Sequence, residues 1–378
     1  VNEARLKHEG LDSVARARSF VLSGLCMPVA LVAALSRQHL FSPRRSARAA
    51  FFGGWCRLFL TGGSWHRAAM AGSVASVRID SHLHLWTPDA EKFPRAVAPP
   101  EHLEKDGFAS HERFVSLMDE SGVESAVVVQ PVNYGQDYSY LIQAMNEHPR
   151  RLRGMFVADP TVPADKAGEW MESLCRSHPG WVGVRFNPYK WPEGSPDGMA
   201  DDVGVALFRK AGELGLPVGF MPFKGLSRHV KEIEALLAAS PETKVIIDHW
   251  GFFLQPATGF GERAVDDASW EALLKLAEKS QVHVKVSAFF RVCTDKALWE
   301  EELGKRLQVL LEVFGSSRIL WGSDFPYVAE HASYPEAVHA MESWAFWSEL
   351  PEADKVNIYA GTAARLFSRP VEVKSDEL

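Results

Sequence analysis

Eight short apolar segments recur between residues 77 and 323, and helical patterns fill the intervals between them. The predicted strands are 77–83, 125–130, 153–158, 181–186, 217–222, 244–249, 282–288 and 318–323. Each is rich in Val, Ile or Phe, which is typical of parallel strands buried on both faces. Helices are predicted over 138–148, 203–215, 229–239, 268–279 and 297–314. Because alternating units of this number and length match a closed barrel, we predict an α/β fold, a (β/α)8 TIM barrel.

The alternative to a barrel is an open, doubly wound sheet. That fold usually carries a Gly-rich phosphate-binding turn after its first strand. The segment after residue 83 reads HLWTPDAEKF and contains no glycine. The sequence therefore favours the barrel.

Residues 1–75 differ in composition from the rest of the chain. They carry ten Lys or Arg and three Asp or Glu, and no acidic residue occurs between Asp12 and Asp80. This composition is typical of an organellar transit peptide, whereas the apolar run 20–35 also fits a secretory signal or anchor. A third interpretation is that the mature protein starts at Met70, just before the first strand. All three place 1–75 outside the folded barrel.

We predict one folded domain over 76–370, which ends in a helical extension at 351–367 and is followed by a tail at 371–378. A transit peptide at 1–69 would place the protein in a plastid or mitochondrion, and a start at Met70 would place it in the cytoplasm. The final SDEL resembles an endoplasmic-reticulum retention signal, which we rank lower. The scattered cysteines are typical of free thiols in a reducing compartment: Cys26, Cys56, Cys175 and Cys293.

The charge of the barrel region excludes some classes of partner. The whole chain has a net charge of −7 and residues 1–75 carry +7, so the remainder carries −14. An acidic domain argues against nucleic acid as the partner. We predict a small-molecule substrate and no membrane partner for the barrel. The sequence does not indicate an oligomeric state. Any anionic group on the substrate must then be bound by a few local arginines.

Polar side chains stand at the C-terminal ends of several predicted strands, where the active sites of barrels lie. His82 and His84 are two apart in RIDSHLHLW, so in a strand both imidazoles point to one face. His249 ends strand six in IIDHWG, and Asp324 follows strand eight in WGSDFP. Such a group can bind a divalent metal that activates water, or it can place an aspartate base beside polarising histidines. The candidate catalytic residues are His82, His84, His249 and Asp324.

Other strand ends carry candidates for substrate binding. Arg185 lies among apolar and aromatic residues in GVRFNPYKW, which favours a desolvated, anion-binding guanidinium over a solvated surface charge. Arg291 follows strand seven and Lys224 follows strand five. The predicted substrate-binding residues are Arg185, Asn187, Tyr189, Lys224, Arg291 and Tyr327. Five other histidines are interpreted as surface residues: His102, His111, His148, His178 and His331.

Four motifs, DSHLHLW, IIDHWG, ILWGSDFP and NIYAGTAARLF, together resemble the amidohydrolase-related branch of the amidohydrolase superfamily. That branch includes lactonases of the 2-pyrone-4,6-dicarboxylate and L-fucono types, and decarboxylases related to aminocarboxymuconate semialdehyde decarboxylase. The resemblance covers about 77–367. It implies a distorted barrel in which the strand-eight aspartate, here Asp324, takes a proton from the attacking water. It also implies active-site positions for His82, His84 and His249.

Two departures from the metal-dependent members of this branch concern the cofactor. Strand four supplies Arg185, and strand five has Met221 near the place of the usual histidine. A guanidinium cannot act as a ligand, and it repels a nearby divalent cation by on the order of a few kcal/mol. We therefore predict a site without tightly bound metal. The alternative is a weakly bound Zn²⁺ or Mn²⁺ on His82, His84, His249 and Asp324.

The leading functional prediction is hydrolysis of a lactone, or a related cyclic ester, of a small carboxylate-bearing or sugar-acid substrate. Asp324 would be the general base, and the histidines would orient or polarise the carbonyl. Arg185, with Arg291 or Lys224, would bind an anionic group. One alternative is a non-oxidative decarboxylase of the same branch, which would need a metal. The other is a catalytically reduced barrel that only binds a metabolite.

Overall fold

A computed structural model describes residues 77–257 and 263–368 of the protein. In these ranges eight parallel strands form one sheet whose order follows the chain. The strands are β1 (Ile79–Leu83), β2 (Ser125–Val129), β3 (Leu152–Val157), β4 (Trp181–Phe186), β5 (Val218–Phe220), β6 (Val245–Ile247), β7 (Val282–Ser287) and β8 (Ile319–Gly322). The sheet closes just past β1 and β8, where Asp324 N donates to His82 O at 2.8 Å and His84 N to Phe325 O at 2.7 Å. The predicted (β/α)8 barrel is confirmed.

A helix follows each strand before the chain enters the next unit. These helices are α1 (His111–Ser121), α2 (Ser139–Glu147), α3 (Ala167–Ser177), α4 (Asp202–Glu213), α5 (Val230–Ala239), α6 (Asp267–Leu276), α7 (Lys305–Phe314) and α8 (Tyr334–His339). Shorter α-helices are Glu101–Glu104, Phe289–Val292, Ala345–Glu349, Glu352–Val356 and Thr362–Leu366, and π-helical turns are Trp299–Gly304 and Asn357–Gly361. In the loop after β6, Leu254–Gln255 pairs antiparallel with Ala264–Val265.

Helix α1 shows how the outer layer forms. Its apolar residues recur at helical spacing, and Phe114, Leu117 and Met118 are buried in the core around the barrel. Burial of each such side chain stabilises the fold by about 1.5–3 kcal/mol. The Ser110 hydroxyl caps the helix by accepting from Arg113 N. His111, the first residue of α1, is buried, so its interpretation as a surface residue is wrong.

The barrel interior is a separate apolar core. It contains Ile79 and Val182, near the starts of β1 and β4, and it also takes in Ala360, Ala363 and Phe367 from the C-terminal helices. Because parallel strands begin at the same end of a barrel, the C-terminal segment covers that end. The predicted extension at 351–367 thus closes the N-terminal end of the barrel, which leaves the opposite end for a binding site.

The predicted presequence and the tail at 371–378 lie outside the described residues, as do Cys26 and Cys56. Cys175 and Cys293 are buried thiols. Over 77–257 and 263–368 no helix combines the length and the apolar character that crossing a membrane requires.

Candidate active site

The ends of β1, β6 and β8 bring the four candidate catalytic residues into one buried cluster. The Nε2 atoms of His84, His82 and His249 lie 3.5, 3.8 and 4.0 Å from Asp324 Oδ1. The other carboxylate oxygen, Asp324 Oδ2, accepts a hydrogen bond of 2.8 Å from Arg291 Nε. One carboxylate therefore stands at the centre of three imidazoles and one guanidinium.

The backbone at two of these positions is strained. His249 has φ of 49° and Asp324 has φ of 62°, in the left-handed region that side chains other than Gly rarely adopt. Each such residue costs on the order of 1–3 kcal/mol and persists only where the surrounding structure enforces it. Strain of this kind is concentrated at functional sites, which agrees with the catalytic assignment of both residues.

Asp80 lies two residues before His82 on β1 and holds the segment that carries Asp324. Its carboxylate accepts from Ser323 N at 3.0 Å, from Ser323 Oγ at 2.5 Å and from Tyr334 OH at 3.1 Å. Full burial outweighs these bonds and raises the pKa of Asp80 to about 6. Asp80 therefore positions the strand-eight turn from beneath the site.

A cavity of about 290 Å³ opens above the cluster. His84, His249 and Asp324 reach it, whereas His82 lies beneath them and does not line it. Arg185, Arg291, Asn187 and Tyr327 line the cavity as predicted, and its apolar walls are Trp86, Pro131, Val132, Met221, Phe223 and Phe252. Met221, which directly follows β5, lines the cavity, and the described residues of β5 include no histidine. Apolar walls with a few polar groups are typical of a small-molecule site.

Two predicted substrate-binding residues, Lys224 and Tyr189, do not line this cavity. The Lys224 ammonium lies 5.1 Å from the centroid of the Tyr189 ring, and Lys224 N donates to Tyr189 OH at 2.7 Å. Both residues are exposed. The loops after β4 and β5 place Tyr189 and Lys224, respectively, at the surface, outside the cavity in which they were predicted to bind substrate.

A buried ion network lies beneath the cluster, and two of its members were not predicted. Asp248 Oδ1 is 3.3 Å from Lys285 Nζ, and Asp248 Oδ2 is 3.2 Å from Arg185 Nη2. All three side chains are buried. Buried charges are tolerated only when paired, so the single carboxylate compensates two cations. A sequence signal for Lys285 did exist. Residues two apart on a strand share a face, which places Lys285 on the same face of β7 as Ser287, and Ser287 contacts His249.

Contacts on Nδ1 orient the two histidines of the His-x-His motif differently. His84 Nδ1 lies 2.8 Å from Val129 O. A carbonyl only accepts, so His84 Nδ1 carries a proton and donates it to this carbonyl. His82 Nδ1 lies 3.1 Å from Lys285 Nζ, and an ammonium only donates, so His82 carries its proton on Nε2. The two rings thus use Nδ1 differently, as a donor in His84 and as an acceptor in His82.

The surroundings of the cluster keep Asp324 ionised and keep His82 and His249 neutral. Burial alone would raise the pKa of Asp324, but the guanidinium of Arg291 holds it well below its usual value. Burial lowers the pKa of His249 to about 3. Burial and the charge of Lys285 keep the pKa of His82 well below its usual value. The cluster therefore presents an anionic base beside two uncharged imidazoles, those of His82 and His249.

These pKa shifts predict an unusual pH profile. We expect the His249 ring to stay unprotonated as the pH falls through 6.5, where a free imidazole would gain a proton. Below pH 6.5 the unfolded chain binds a proton at His249 that the folded chain does not bind. The free energy of unfolding therefore decreases as the pH falls below 6.5. NMR of the His249 ring and urea midpoints, both measured from about pH 8 down to pH 5, test the two expectations. A His249 resonance that titrates near pH 6.5 would contradict the assignment.

Part of the cluster can hold a divalent metal. His82, His249 and Asp324 each place one ligand atom within 4.8 Å of the others. His82 Nε2 is buried and has no hydrogen-bond partner in the described part of the chain. Two cations oppose such binding, because Arg291 occupies one oxygen of Asp324 and Lys285 directs the His82 proton to Nε2. The residues present thus fit a metal, with charged competitors on two of its ligands.

Comparison with known proteins agrees with this geometry. An L-fucono-1,5-lactonase from Burkholderia multivorans (strain ATCC 17616 / 249) is 26% identical over 313 residues, which cover 79% of this chain and 98% of the relative. A crystal structure described as a 2-pyrone-4,6-dicarboxylic acid hydrolase from Pseudomonas putida matches with a TM-score of 0.61 and 24% identity, covering 77% of this chain and 97% of that one.

A second crystal structure, an amidohydrolase from Burkholderia multivorans with bound zinc, has a TM-score of 0.56 and 21% identity and covers 78% of this chain and 100% of its own. At these identities the two crystal structures establish the fold. The amidohydrolase family model matches residues 79–369, from β1 to the C-terminal helices. Since that match spans more than half of the protein, the chain belongs to the amidohydrolase family.

Proposed function

We propose that the protein is a lactonase, which hydrolyses the cyclic ester of a small carboxylate-bearing or sugar-acid substrate. The observation that carries the proposal is the ionised, buried Asp324, held by Arg291 at the base of a cavity and faced by three imidazoles. The L-fucono-1,5-lactonase that is similar over 98% of its own length supports the same reaction class.

Asp324 is the base that activates water. A carboxylate with Oδ2 fixed by Arg291 has Oδ1 available, and the cavity reaches this residue. Water bound at Oδ1 loses a proton to it as the oxygen attacks the lactone carbonyl. The guanidinium of Arg291 lies 4.9 Å from the centroid of the Tyr327 ring and 5.0 Å from that of Phe290, so its position is fixed by stacking.

The proton then has a short route to the leaving group. His84 Nε2 is the imidazole nitrogen nearest to Asp324 Oδ1, at 3.5 Å, and it is free for proton transfer because Nδ1 is bonded to the Val129 carbonyl. It can receive the proton from Asp324 and deliver it to the alkoxide that forms when the ring ester opens. Water is thus divided between the new carboxylic acid and the new hydroxyl, and the enzyme returns to its starting state.

The cavity also binds an anionic group. Arg185 is buried, lines the cavity and has its Nε without a hydrogen-bond partner in the described ranges. A donor of this kind is costly to leave unpaired, so a substrate carboxylate or carbonyl oxygen that reaches it gains a strong, charge-assisted bond. The aromatic walls supply contact area for the remainder of a small ring.

We further propose that this chemistry needs no tightly bound metal. A divalent cation held by His82, His249 and Asp324 would act as a Lewis acid for the water and the carbonyl. The protein already supplies a base in Asp324, a proton carrier in His84 and cationic donors in Arg185 and Arg291.

The deciding experiment measures metal content and lactone hydrolysis on the same samples, before and after chelation. Ring opening of L-fucono-1,5-lactone and of 2-pyrone-4,6-dicarboxylate is followed by acid release. We expect at least one lactone to be hydrolysed, at an unchanged rate after chelation. Activity lost on chelation and restored by zinc would overturn only the metal-free step. A folded protein inactive on every lactone, with or without zinc, would overturn the lactonase.

Arg185→Lys tests the anion-binding assignment. Lysine keeps a positive charge near Asp248 but replaces a planar fork by a point charge. We expect KM to rise by about tenfold or more, the cost of a lost charge-assisted hydrogen bond, with a smaller change in kcat. Lys224→Ala is the matched control, because Lys224 does not line the cavity and its loss should leave KM unchanged. An unaltered KM in Arg185→Lys would remove Arg185 from substrate binding.

A further inference from the structure

Asn187 is a second polar side chain at the cavity end of β4, close to Arg185. Arg185 belongs to β4, and Asn187 directly follows the strand with an extended backbone, φ of −109° and ψ of 106°. Residues two apart on an extended segment share a face. The two side chains therefore lie on the same side of the chain, and both line the cavity over Asp324.

The contacts of Asn187 determine which end of its amide is available to a ligand. Tyr189 N donates a hydrogen bond to Asn187 Oδ1 at 3.1 Å, which caps the turn Pro188–Lys190. A backbone N–H only donates, so the amide oxygen takes this position and Nδ2 is directed away from it. Asn187 is only 6% exposed, yet Nδ2 has no hydrogen-bond partner among residues 77–257 and 263–368. Asn187 thus offers unused N–H donors on the cavity wall.

Arg185 is also incompletely paired. Its Nη2 lies 3.2 Å from Asp248 Oδ2, and Asp248 is shared with Lys285. Its Nε has no hydrogen-bond partner in the part of the chain that the structure describes. A guanidinium has no acceptor atom, so Arg185 and the Asn187 amide nitrogen present donors only. Because buried donors without partners are costly, this pair is complementary to a group that only accepts.

We propose that Arg185 and Asn187 form one subsite for a carboxylate of the substrate, in which the Asn187 amide determines specificity. This inference rests on the proposed lactonase and narrows its substrates to carboxylate-bearing lactones. An ionised carboxylate has two oxygens that only accept, one for the guanidinium and one for the amide. A hydroxyl of a sugar-acid lactone is a weaker partner, since only the guanidinium would then be ionised.

Asn187→Asp separates the donor of Asn187 from its capping oxygen. Aspartate keeps the shape of the side chain and an oxygen for Tyr189 N, and it caps helical turns about as well as asparagine. It replaces the amide nitrogen by a carboxylate oxygen, which repels an anion. The probe is isophthalate, a planar dicarboxylate without an ester, and its Kd is measured by calorimetry at pH 7. We expect Kd to rise by about tenfold or more, as for the loss of a hydrogen bond to a charged group.

Two further variants complete the comparison. Asn146→Asp is the matched control, because Asn146 is exposed on α2 and does not line the cavity, so Kd should be unchanged. Asn187→Ser serves if the buried aspartate perturbs folding. Serine keeps a capping oxygen and has no amide, so it should also weaken isophthalate binding. A role of Asn187 in capping alone would leave Kd unchanged in both Asn187 variants.

Lactone hydrolysis gives a second readout. In Asn187→Asp, KM should rise for 2-pyrone-4,6-dicarboxylate and should be unchanged for the uncharged L-fucono-1,5-lactone. Calorimetry needs no turnover, so it tests the subsite even if the protein hydrolyses neither lactone. A wild type that does not bind isophthalate, or Asn187 variants that bind it as tightly as the wild type, would overturn the subsite.

Discussion

Asp324→Asn is expected to abolish turnover while the barrel stays folded. Asparagine keeps the shape of the side chain and an oxygen that accepts from Arg291, but it cannot take a proton from water. Loss of a general base costs about 10²- to 10⁴-fold, and we expect the upper part of this range because no other carboxylate lines the described cavity. The measurement is kcat/KM for lactone opening, with circular dichroism to verify folding.

Asp119→Asn controls for the loss of one carboxylate elsewhere. The Asp119 side chain is 62% exposed and pairs with Arg151 at the surface, so its removal should change neither rate nor fold. Asparagine is preferred to alanine because Asp324→Ala would also remove the acceptor of the Arg291 hydrogen bond. Asp324→Asn removes only the base, so it distinguishes proton transfer from a role of Asp324 in binding Arg291. Near-wild-type turnover in Asp324→Asn would exclude Asp324 as the base and would require another group to activate water.

The proximity of the four candidate catalytic residues was predictable because it depends on simple spacing. Residues two apart on a strand share a face, which brings His82 and His84 together. The ends of parallel strands in a barrel meet at one rim, which adds His249 and Asp324. The alternation of eight apolar segments with helices determines the rim itself, so no long-range contact had to be known in advance.

The buried layer beneath the cluster was harder to predict. Strands that are buried on both faces show little alternation, so the side to which Asp248 or Lys285 points is not evident from polarity. Lysine is also almost never fully buried unless paired, and the partner of Lys285 lies on a different strand. Loop residues posed a different problem: Lys224 and Tyr189 follow strands closely, yet no periodic pattern specifies the direction of a loop.

The largest effect on stability is expected from Asp248→Asn. This change removes the one carboxylate between Lys285 and Arg185 and leaves two cations buried beside His82. Breaking a buried pair by removing one partner costs about 3–5 kcal/mol, because the remaining charge is uncompensated. We expect the free energy of unfolding to fall by about that amount, measured by urea denaturation at pH 7.

The double variant Asp248→Asn/Lys285→Met shows whether charge is the cause. Removing Lys285 as well eliminates one of the two unpaired cations, so the double variant should be more stable than Asp248→Asn alone. Lys285→Met by itself leaves Asp248 paired with Arg185 and should cost little stability, yet it frees the His82 ring from its donor and should lower kcat. A double variant no more stable than the single Asp248→Asn protein would place the cost in the strained turn at His249 instead of in the ion network.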